Sequence, residues 1–431
     1  MTTALSLMIL SATHVWDPRP DIAAWLAKLT RLSDPDPKWT VRLGGAPEVA
    51  AVMDGDRVVV ASRGFVDAYR ARDGSAVWHW SVHWAFPADD VVVGRQKPDN
   101  PDADPSPDRG YAVLDPVSGA VKWSDHDSIA VWIYSTTIVD LVCPDADRCL
   151  LRARTHQSGS FLWQVPLPGN AKTIRGANPH LAGLRDPAGW FDAAARGAAP
   201  KMPTVMALTI DGKIHVVDTF RGVYVREVVA PDRETRVAFA GDRLLFVTAR
   251  RADAGCTFTV EAFDFASGRS LWKESGFDLD TARGAGCEQR EDPMGAGGRL
   301  VVTGSDARPM LVEADTATKT WTGEPGSKVL ATDGLLAVVL APDRVHVSVI
   351  DVAVPGGKAL WIGETGLDPD AAITGSFVII RDSDSRTLRV LRRGGLTVKL
   401  EISTRADVVG FGANSILLGS ARSVGYHAVD A

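Results

Sequence analysis

The stretch YAVLDPVSGAVKW at residues 111–123 decides the fold, because the chain repeats it in altered form along most of its length. Apolar strand residues lead to an acidic residue and a Ser-Gly turn, and a Trp follows shortly after the glycine. A second close copy is VEAFDFASGRSLW at 260–272. Weaker copies are AYRARDGSAVW (68–78), RARTHQSGSFLW (152–163), LVEADTATKTW (311–321) and VIDVAVPGGKALW (349–361).

The repeat predicts two antiparallel strands joined by a tight turn, where a glycine adopts positive φ at little cost. The turn positions assigned from the sequence are Gly74, Gly119, Gly159, Gly222, Gly268, Ala317, Gly357 and Gly394. An apolar run such as DRLLFVTA or GLLAVVL precedes each turn and is typical of a central strand. A strand–turn–strand unit that recurs about every 40–50 residues is typical of a propeller. We therefore predict an all-β chain folded as one β-propeller of four-stranded antiparallel blades, over residues 38–431.

The two ends of the predicted propeller complement each other. The last unit stops at Ala431, before its outer strand, and KWTVRLGG at 38–45 has the character of the missing strand. We predict that this strand closes the propeller by pairing with the C-terminal strand, because that pairing leaves no open sheet edge. Outer-strand motifs are assigned at Trp39, Trp78, Trp123, Trp163, Arg226, Trp272, Trp321, Trp361 and Val398. This count gives nine units, of which the one near Arg226 is the most doubtful.

The repeated tryptophans and glycines are interpreted as structural residues. A Trp on the strand after the turn can lie between adjacent blades and bury a large flat surface. The residues given this role are Trp39, Trp78, Trp123, Trp163, Trp272, Trp321 and Trp361, with the turn residues Gly74, Gly119, Gly159 and Gly268.

The N-terminal residues differ in character from the repeats. Residues 1–16 contain no Asp, Glu, Lys or Arg and include LSLMIL, so we interpret them as the remnant of a membrane anchor or signal-anchor. Residues 17–37 are predicted to form a short stalk helix and linker, which ends at the prolines of Asp34-Pro-Asp-Pro37. The alternative for the first segment is a frayed apolar terminus.

Composition limits the function classes. The net charge of -6 and the absence of a long basic run give no electrostatic footprint for nucleic acid.

The four cysteines form no CxxC motif, so the sequence gives little support for a zinc site. Cys143 and Cys149 flank a short loop and could close a hairpin, while Cys256 and Cys287 lie in turn-rich loops of neighbouring units. Disulfides at these residues would imply an oxidising compartment; free thiols are the alternative.

The repeat A-x-D-x-x-[ST]-G-x-x-x-W resembles that of the PQQ-like (pyrrolo-quinoline quinone repeat) β-propeller family, over roughly residues 39–431. The family includes quinoprotein alcohol dehydrogenases and BamB-like extracytoplasmic propellers of bacteria, and the chain is most similar to the latter. The resemblance implies eight blades. The quinoprotein enzymes have an adjacent Cys-Cys pair at their cofactor site, which has no match here, so no cofactor is expected.

No catalytic or metal-binding residues are assigned. His79 and His83 lie four apart but in a predicted strand, and the acidic loop 98–108 departs from a calcium-binding loop at Pro107 and Val113. Candidate partner-binding residues lie where the repeat is interrupted. Trp80 and Trp84 lie in WHWSVHW (78–84), and the alternative role for them is to thicken the core. Trp190 and Phe191 lie in the insertion 166–203, and the alternative for this insertion is a loop folded over the propeller.

The sequence thus favours a non-enzymatic, monomeric propeller that serves as a protein-interaction or ligand-sensing scaffold. We expect it to be tethered at the cell membrane by its N-terminus, with the propeller on the extracytoplasmic side. The partner, a protein or a small ligand, is not identified by the sequence. The alternatives are a quinone- or sugar-linked oxidoreductase with a site in the central channel, and a cytoplasmic scaffold.

Overall fold

The structure is a computed structural model of the 431-residue chain. It describes residues 36–429 except 54, 89, 98–108, 146–147, 169–198, 200, 211–212, 230–231, 233, 241–242, 253–254, 284–286, 290–292, 297, 367 and 383–385. The predicted anchor, nearly all of the stalk, the acidic loop and the pair Trp190–Phe191 lie outside these residues.

The described chain is built from strands, and no helix occurs in the ranges given above. The strands of the N-terminal half are β1 (Trp39–Arg42), β2 (Pro47–Met53), β3 (Arg57–Ser62), β4 (Phe65–Arg70), β5 (Ala76–Ala88), β6 (Val91–Gln96), β7 (Tyr111–Leu114), β8 (Val121–Asp125), β9 (Ala130–Ile133), β10 (Thr137–Val142), β11 (Arg148–Thr155), β12 (Phe161–Pro168), β13 (Val205–Ile210), β14 (Lys213–Asp218), β15 (Val223–Val228), β16 (Thr235–Ala240), β17 (Arg243–Ala252) and β18 (Gly255–Asp264).

The strands of the C-terminal half are β19 (Ser270–Ser275), β20 (Ala282–Arg283), β21 (Glu288–Gln289), β22 (Gly295–Ala296), β23 (Arg299–Thr303), β24 (Pro309–Glu313), β25 (Lys319–Thr322), β26 (Lys328–Thr332), β27 (Leu336–Leu340), β28 (His346–Asp351), β29 (Lys358–Glu364), β30 (Pro369–Ile373), β31 (Phe377–Asp382), β32 (Thr387–Arg392), β33 (Thr397–Ser403), β34 (Asp407–Gly412), β35 (Ser415–Ser420) and β36 (Ser423–Ala428).

Consecutive strands pair antiparallel into small sheets, as a propeller requires. We number these sheets as units. Units 1 and 2 are β2–β5 and β5–β8, which share the long strand β5; units 3 and 4 are β9–β12 and β13–β15; units 5 to 8 are β16–β19, β22–β25, β26–β29 and β30–β33; unit 9 is β34–β36 with β1. The all-β propeller architecture predicted from the repeats is therefore confirmed.

The terminal strands pair as predicted. Strand β1 runs antiparallel to β36, with Trp39 opposite Tyr426 and Arg42 opposite Ser423. Unit 9 in turn lies against unit 1, because a Cβ on Gly410 of β34 would fall 1.8 Å from the carbonyl oxygen of Ala50 in β2. Only glycine permits this approach of the two backbones.

Apart from the two-stranded β20–β21 ribbon, the described strands form nine units, of which unit 4 has three strands and the others have four. The motif near Arg226, which the sequence made doubtful, forms the outer strand β15 of unit 4. The strands thus follow the nine outer-strand motifs counted in the sequence. Because unit 4 is incomplete in the described residues, the number of full blades stays a prediction.

Two repeat positions assigned from the sequence in unit 8 are wrong. In seven units the turn residue has positive φ and lies four positions before the outer-strand residue, as with Gly119 and Trp123. In unit 8 the residue with positive φ is Leu396 and not Gly394. Leu400 therefore takes the Trp position, and it pairs with Val390 as Trp361 pairs with Val349 in unit 7.

The hydrophobic core lies within and between neighbouring units. The second strands of the units carry the apolar runs and are almost entirely buried, as in Phe377–Asp382 and Leu336–Leu340. The last strands alternate between exposed and half-buried side chains, as in Lys358–Glu364. This gradient places the outer strands at the rim of the propeller, where a partner has access to them.

Candidate interaction surface

The outer-strand tryptophans join each unit to the next. A Cβ on Gly119 of unit 2 would lie 2.8 Å from the ring of Trp78 in unit 1, and a Cβ on Gly159 of unit 3 would lie 2.7 Å from Trp123 in unit 2. The indole nitrogen of Trp78 also donates to the carbonyl oxygen of Pro116 at 2.9 Å. These contacts cover part of each ring and the polar edge of Trp78, as the predicted structural role requires.

The same joint recurs around the chain with small variations. Further turn glycines lie against the outer-strand residue of the preceding unit: Gly74 on Trp39, Gly222 on Trp163, Gly268 on Arg226 and Gly357 on Trp321. Indole-to-carbonyl hydrogen bonds also join Trp39 to Ala71, Trp123 to His156 and Trp272 to Ala314.

Trp80 and Trp84, two of the predicted partner-binding residues, lie in strand β5 and are half-buried. Trp80 packs with Trp78 against the core between units 1 and 2, whereas Trp84 packs with Phe86 against the core between units 2 and 3. A bulge between Val82 and Trp84 separates them. Both rings pack into core clusters, as the alternative of a thickened core describes, and they form no continuous exposed face.

A charged network ties unit 2 to unit 3. Arg152 and Arg154 of β11 each donate to Asp140, which is fully buried on β10, and each donates to Asp125 at the end of β8 at 2.8 Å. The hydroxyl of Tyr111 also donates to Asp140 at 2.8 Å. Two carboxylates thus neutralise two guanidinium groups, which is the condition under which buried charges are tolerated.

The network shifts the pKa values of Asp125 and Tyr111 in the directions expected for a buried, paired cluster. Burial by itself would raise the pKa of Asp125, but the charge of Arg152 and hydrogen bonds from the Ser128 and Asp127 amides hold it below its ordinary value. Burial, with the nearby charge of Asp140, raises the pKa of Tyr111 far above its ordinary value. Asp125 therefore stays charged at neutral pH, and Tyr111 stays protonated.

Phe161 connects this network to the rim. Its ring centre lies 4.1 Å from the guanidinium carbon of Arg154, close enough for a cation–π contact. The ring is still 48% exposed, and the adjacent Leu162 is 53% exposed. The buried ion pairs thus hold an outward-facing aromatic ring in place.

Unit 4, which adjoins unit 3, also exposes apolar side chains. Its β14–β15 turn lies against Trp163, since a Cβ on Gly222 would fall 2.3 Å from that ring. The turn presents Phe220, which is 87% exposed, and β15 adds the exposed Val223 and Tyr224. We call Phe161, Leu162, Phe220, Val223 and Tyr224 the rim patch. A cluster of large apolar side chains on a surface indicates a binding role.

Sequence reasoning missed the rim patch. Phe161, Leu162, Val223 and Tyr224 lie within outer strands assigned a structural role, and Phe220 occupies a turn. A signal was nevertheless present, because SFLW and TFRGVYV place extra aromatic residues beside the turn glycine. YAVLDPVSGAVKW has none at those positions.

The cysteines pair as the sequence allowed. Cys143 is bonded to Cys149 and closes the β10–β11 hairpin, and Cys256 is bonded to Cys287. The second bond attaches the β20–β21 ribbon to the end of the β17–β18 hairpin.

No group of three His, Cys, Asp or Glu side chains in the described ranges is arranged to hold a metal ion. The same part of the chain contains no helix that is long and apolar enough to span a membrane.

Comparisons with known proteins agree with the repeat. Residues 257–404 match the family model described as outer membrane protein assembly factor BamB. No curated protein matches the chain. Among solved structures, the chain is similar to BamB from Moraxella catarrhalis, with 14% identity, 90% of this chain and 95% of that chain covered and a TM-score of 0.38.

Two further solved structures are similar at comparable levels. The quinohemoprotein alcohol dehydrogenase from Comamonas testosteroni has 12% identity, with 93% of this chain and 77% of that chain covered and a TM-score of 0.41. The computationally designed Ika8 protein has 11% identity, with 90% and 98% covered and a TM-score of 0.43. The family-model match over residues 257–404 supports the resemblance to the PQQ-like β-propeller family that was drawn from the repeats.

Proposed function

We propose that the chain is a non-enzymatic interaction platform that binds a protein partner through the rim patch. The observation that carries the proposal is the grouping of five exposed apolar side chains at units 3 and 4, with Phe220 almost fully solvent-accessible. Apolar and aromatic side chains that are held rigidly on a surface dominate the binding energy of protein interfaces. Phe161 meets this condition through its contact with Arg154.

We place the platform on the extracytoplasmic side of a bacterial membrane. All four cysteines are in disulfides, which persist in oxidising compartments and are rare in the cytosol. The family model that matches residues 257–404 is described as an outer membrane assembly factor, which is in keeping with this location. The membrane anchor at 1–16 and the contribution of Trp190 and Phe191 stay predictions.

The test compares two substitutions at equally exposed positions. Phe220→Glu introduces a charge in the rim patch, and Ile362→Glu introduces the same charge at a side chain that is 64% exposed on the outer strand of unit 7. Neither side chain is buried, so both variants should melt as the wild type does.

We expect Phe220→Glu to weaken binding of the copurifying partner by about tenfold or more, since a buried aromatic contact is replaced by a charge that must be desolvated. Ile362→Glu should leave binding unchanged. Equal binding by both variants would exclude the rim patch. Reduction of an artificial dye on addition of pyrrolo-quinoline quinone, Ca²⁺ and an alcohol or a sugar would overturn the non-enzymatic part of the proposal.

A further inference from the structure

A cavity of about 220 Å³ lies where units 8 and 9 meet. Its floor contains the buried Ile402, Leu418 and Gly425. Its walls carry hydroxyl groups and one carboxylate, from Thr40, Ser403, Thr404, Ser420, Ser423 and Asp36. The cavity therefore combines an apolar floor with walls rich in hydrogen-bond acceptors.

The repeat explains why this space is empty of side chains. In each unit, the repeat residue of the outer strand, usually Trp, pairs with a residue on the neighbouring strand. The residue just before that partner also faces the outer strand. That residue is Arg152 in unit 3, opposite Gln164, and Arg389 in unit 8, opposite Glu401. In unit 9 the same position is Gly425, opposite Thr40.

The two arginines show what this position can hold. Arg152 donates to Asp125, the last residue of the outer strand of unit 2. Arg389 donates to the carbonyl oxygen of Glu364, the last residue of the outer strand of unit 7, at 3.0 Å. A guanidinium group in this position thus links its unit to the end of the preceding outer strand.

The corresponding end at the unit 8–unit 9 junction lines the cavity. Strand β33 ends at Ser403, which is one of the lining residues. Among the described residues that line the cavity, Asp36 is negatively charged, His427 adds an imidazole ring, and there is no Lys or Arg. The exposed Arg405 and Arg422, which are near in sequence, do not line it.

We propose that this cavity binds the guanidinium group of an arginine side chain supplied from outside the chain. The methylene stem would lie on Ile402 and Leu418, as arginine stems do on apolar surface. The planar guanidinium would donate to Asp36 and to the wall hydroxyls, because its five N–H groups require acceptors in several directions. The proposal is independent of the rim patch.

The binding test uses N-acetyl-arginine amide as the probe and N-acetyl-citrulline amide as its neutral isostere, with calorimetry as the readout. Charged hydrogen bonds are stronger than neutral ones, so the arginine probe should bind saturably and about tenfold more tightly than the citrulline probe. Equal affinity for both probes, or no saturable binding of either, would overturn the proposal.

Two variants at one position show whether the cavity is the site. Gly425→Arg should fill it with an internal guanidinium and abolish probe binding, whereas Gly425→Ala adds a Cβ with contacts no closer than 3.5 Å and should retain binding. Thr40→Val tests the site without filling it, and it should weaken binding several-fold because it removes one acceptor from an exposed side chain. Undiminished binding by the folded Gly425→Arg protein or by Thr40→Val would contradict the site.

The source of the guanidinium is distinguished with two further ligands. Tighter binding of an arginine within a short peptide than of free L-arginine supports recognition of a protein side chain. The reverse order supports a site for the free amino acid.

Discussion

The substitution Gly119→Ala tests the joint between units at one defined contact. Gly119 has φ of 72°, and its amide donates to the carbonyl oxygen of Asp115. A Cβ would lie 2.8 Å from Cγ of Trp78 and 2.9 Å from Cδ2. The ring cannot move away without losing its hydrogen bond to Pro116. The added methyl group therefore meets a fixed neighbour.

Two effects lower the free energy of unfolding of Gly119→Ala. Left-handed backbone costs a non-glycine residue about 1–2 kcal/mol, of which about 0.4–1 kcal/mol is recovered because alanine restricts the unfolded chain. Overpacking against a fixed ring costs about 1–3 kcal/mol more. We expect a net loss of about 2–4 kcal/mol in the free energy of unfolding. Gly55→Ala is the matched control, because its φ is 67° and nothing lies within 4 Å of its Cβ position.

The assay is urea unfolding followed by circular dichroism, for both single variants and for Gly119→Ala combined with Trp78→Ala. Gly55→Ala should cost no more than about 1–2 kcal/mol, which is the backbone part alone. With the Trp78 ring removed, Gly119→Ala should cost no more than Gly55→Ala does, because the coupling between the two positions is lost. Equal losses for both glycines in the wild-type background would refute the joint.

Three other outcomes are expected. Trp272→Ala removes a ring that packs against unit 6 and donates to Ala314, and it should lower the free energy of unfolding by about 3–5 kcal/mol; an unchanged thermal melt would exclude this role. Because the pKa of Asp125 is lowered, its stabilising effect is present above its unfolded pKa of about 4 and is lost as pH falls through the folded value. Thermal melts of wild type and Asp125→Asn should therefore differ at pH 7 and converge in acid, and a constant difference would contradict the pairing. Removing residues 1–37 should leave the melt nearly unchanged, whereas removing 1–45 deletes β1 and should lower it strongly; equal melts for the two truncations would contradict the closing strand.

The fold was readable from the sequence because its determinants are local. A turn glycine followed by a Trp encodes the strand pair, the joint and the unit boundary together. The same reasoning failed in unit 8, where Leu396 adopts positive φ although a Gly-Gly pair stands just before it. A leucine in that conformation gives no sequence signal, and the error at Gly394 moved the outer-strand position from Leu400 to Val398.

The candidate sites were less readable because they depend on what a neighbouring unit leaves uncovered. Trp80 and Trp84 looked exceptional in the sequence but pack into core clusters. Phe220 looked ordinary, and only the position of its turn on unit 3 shows that it is exposed. Gly425 indicates a binding site only when it is compared with Arg152 and Arg389, which occupy the equivalent position in units 3 and 8. The strand register shows that the positions are equivalent, whereas the sequence motif does not.

Photo-crosslinking from position 220 tests the central claim, that the rim patch binds a protein partner, most directly. A benzoylphenylalanine is placed at position 220 in one protein and at position 362 in another, because both side chains are exposed but only Phe220 belongs to the rim patch. We expect a discrete crosslinked protein from position 220 alone, which excess unlabelled wild type removes and excess Phe220→Glu protein does not. The same adducts from both positions, or none from position 220, would contradict it.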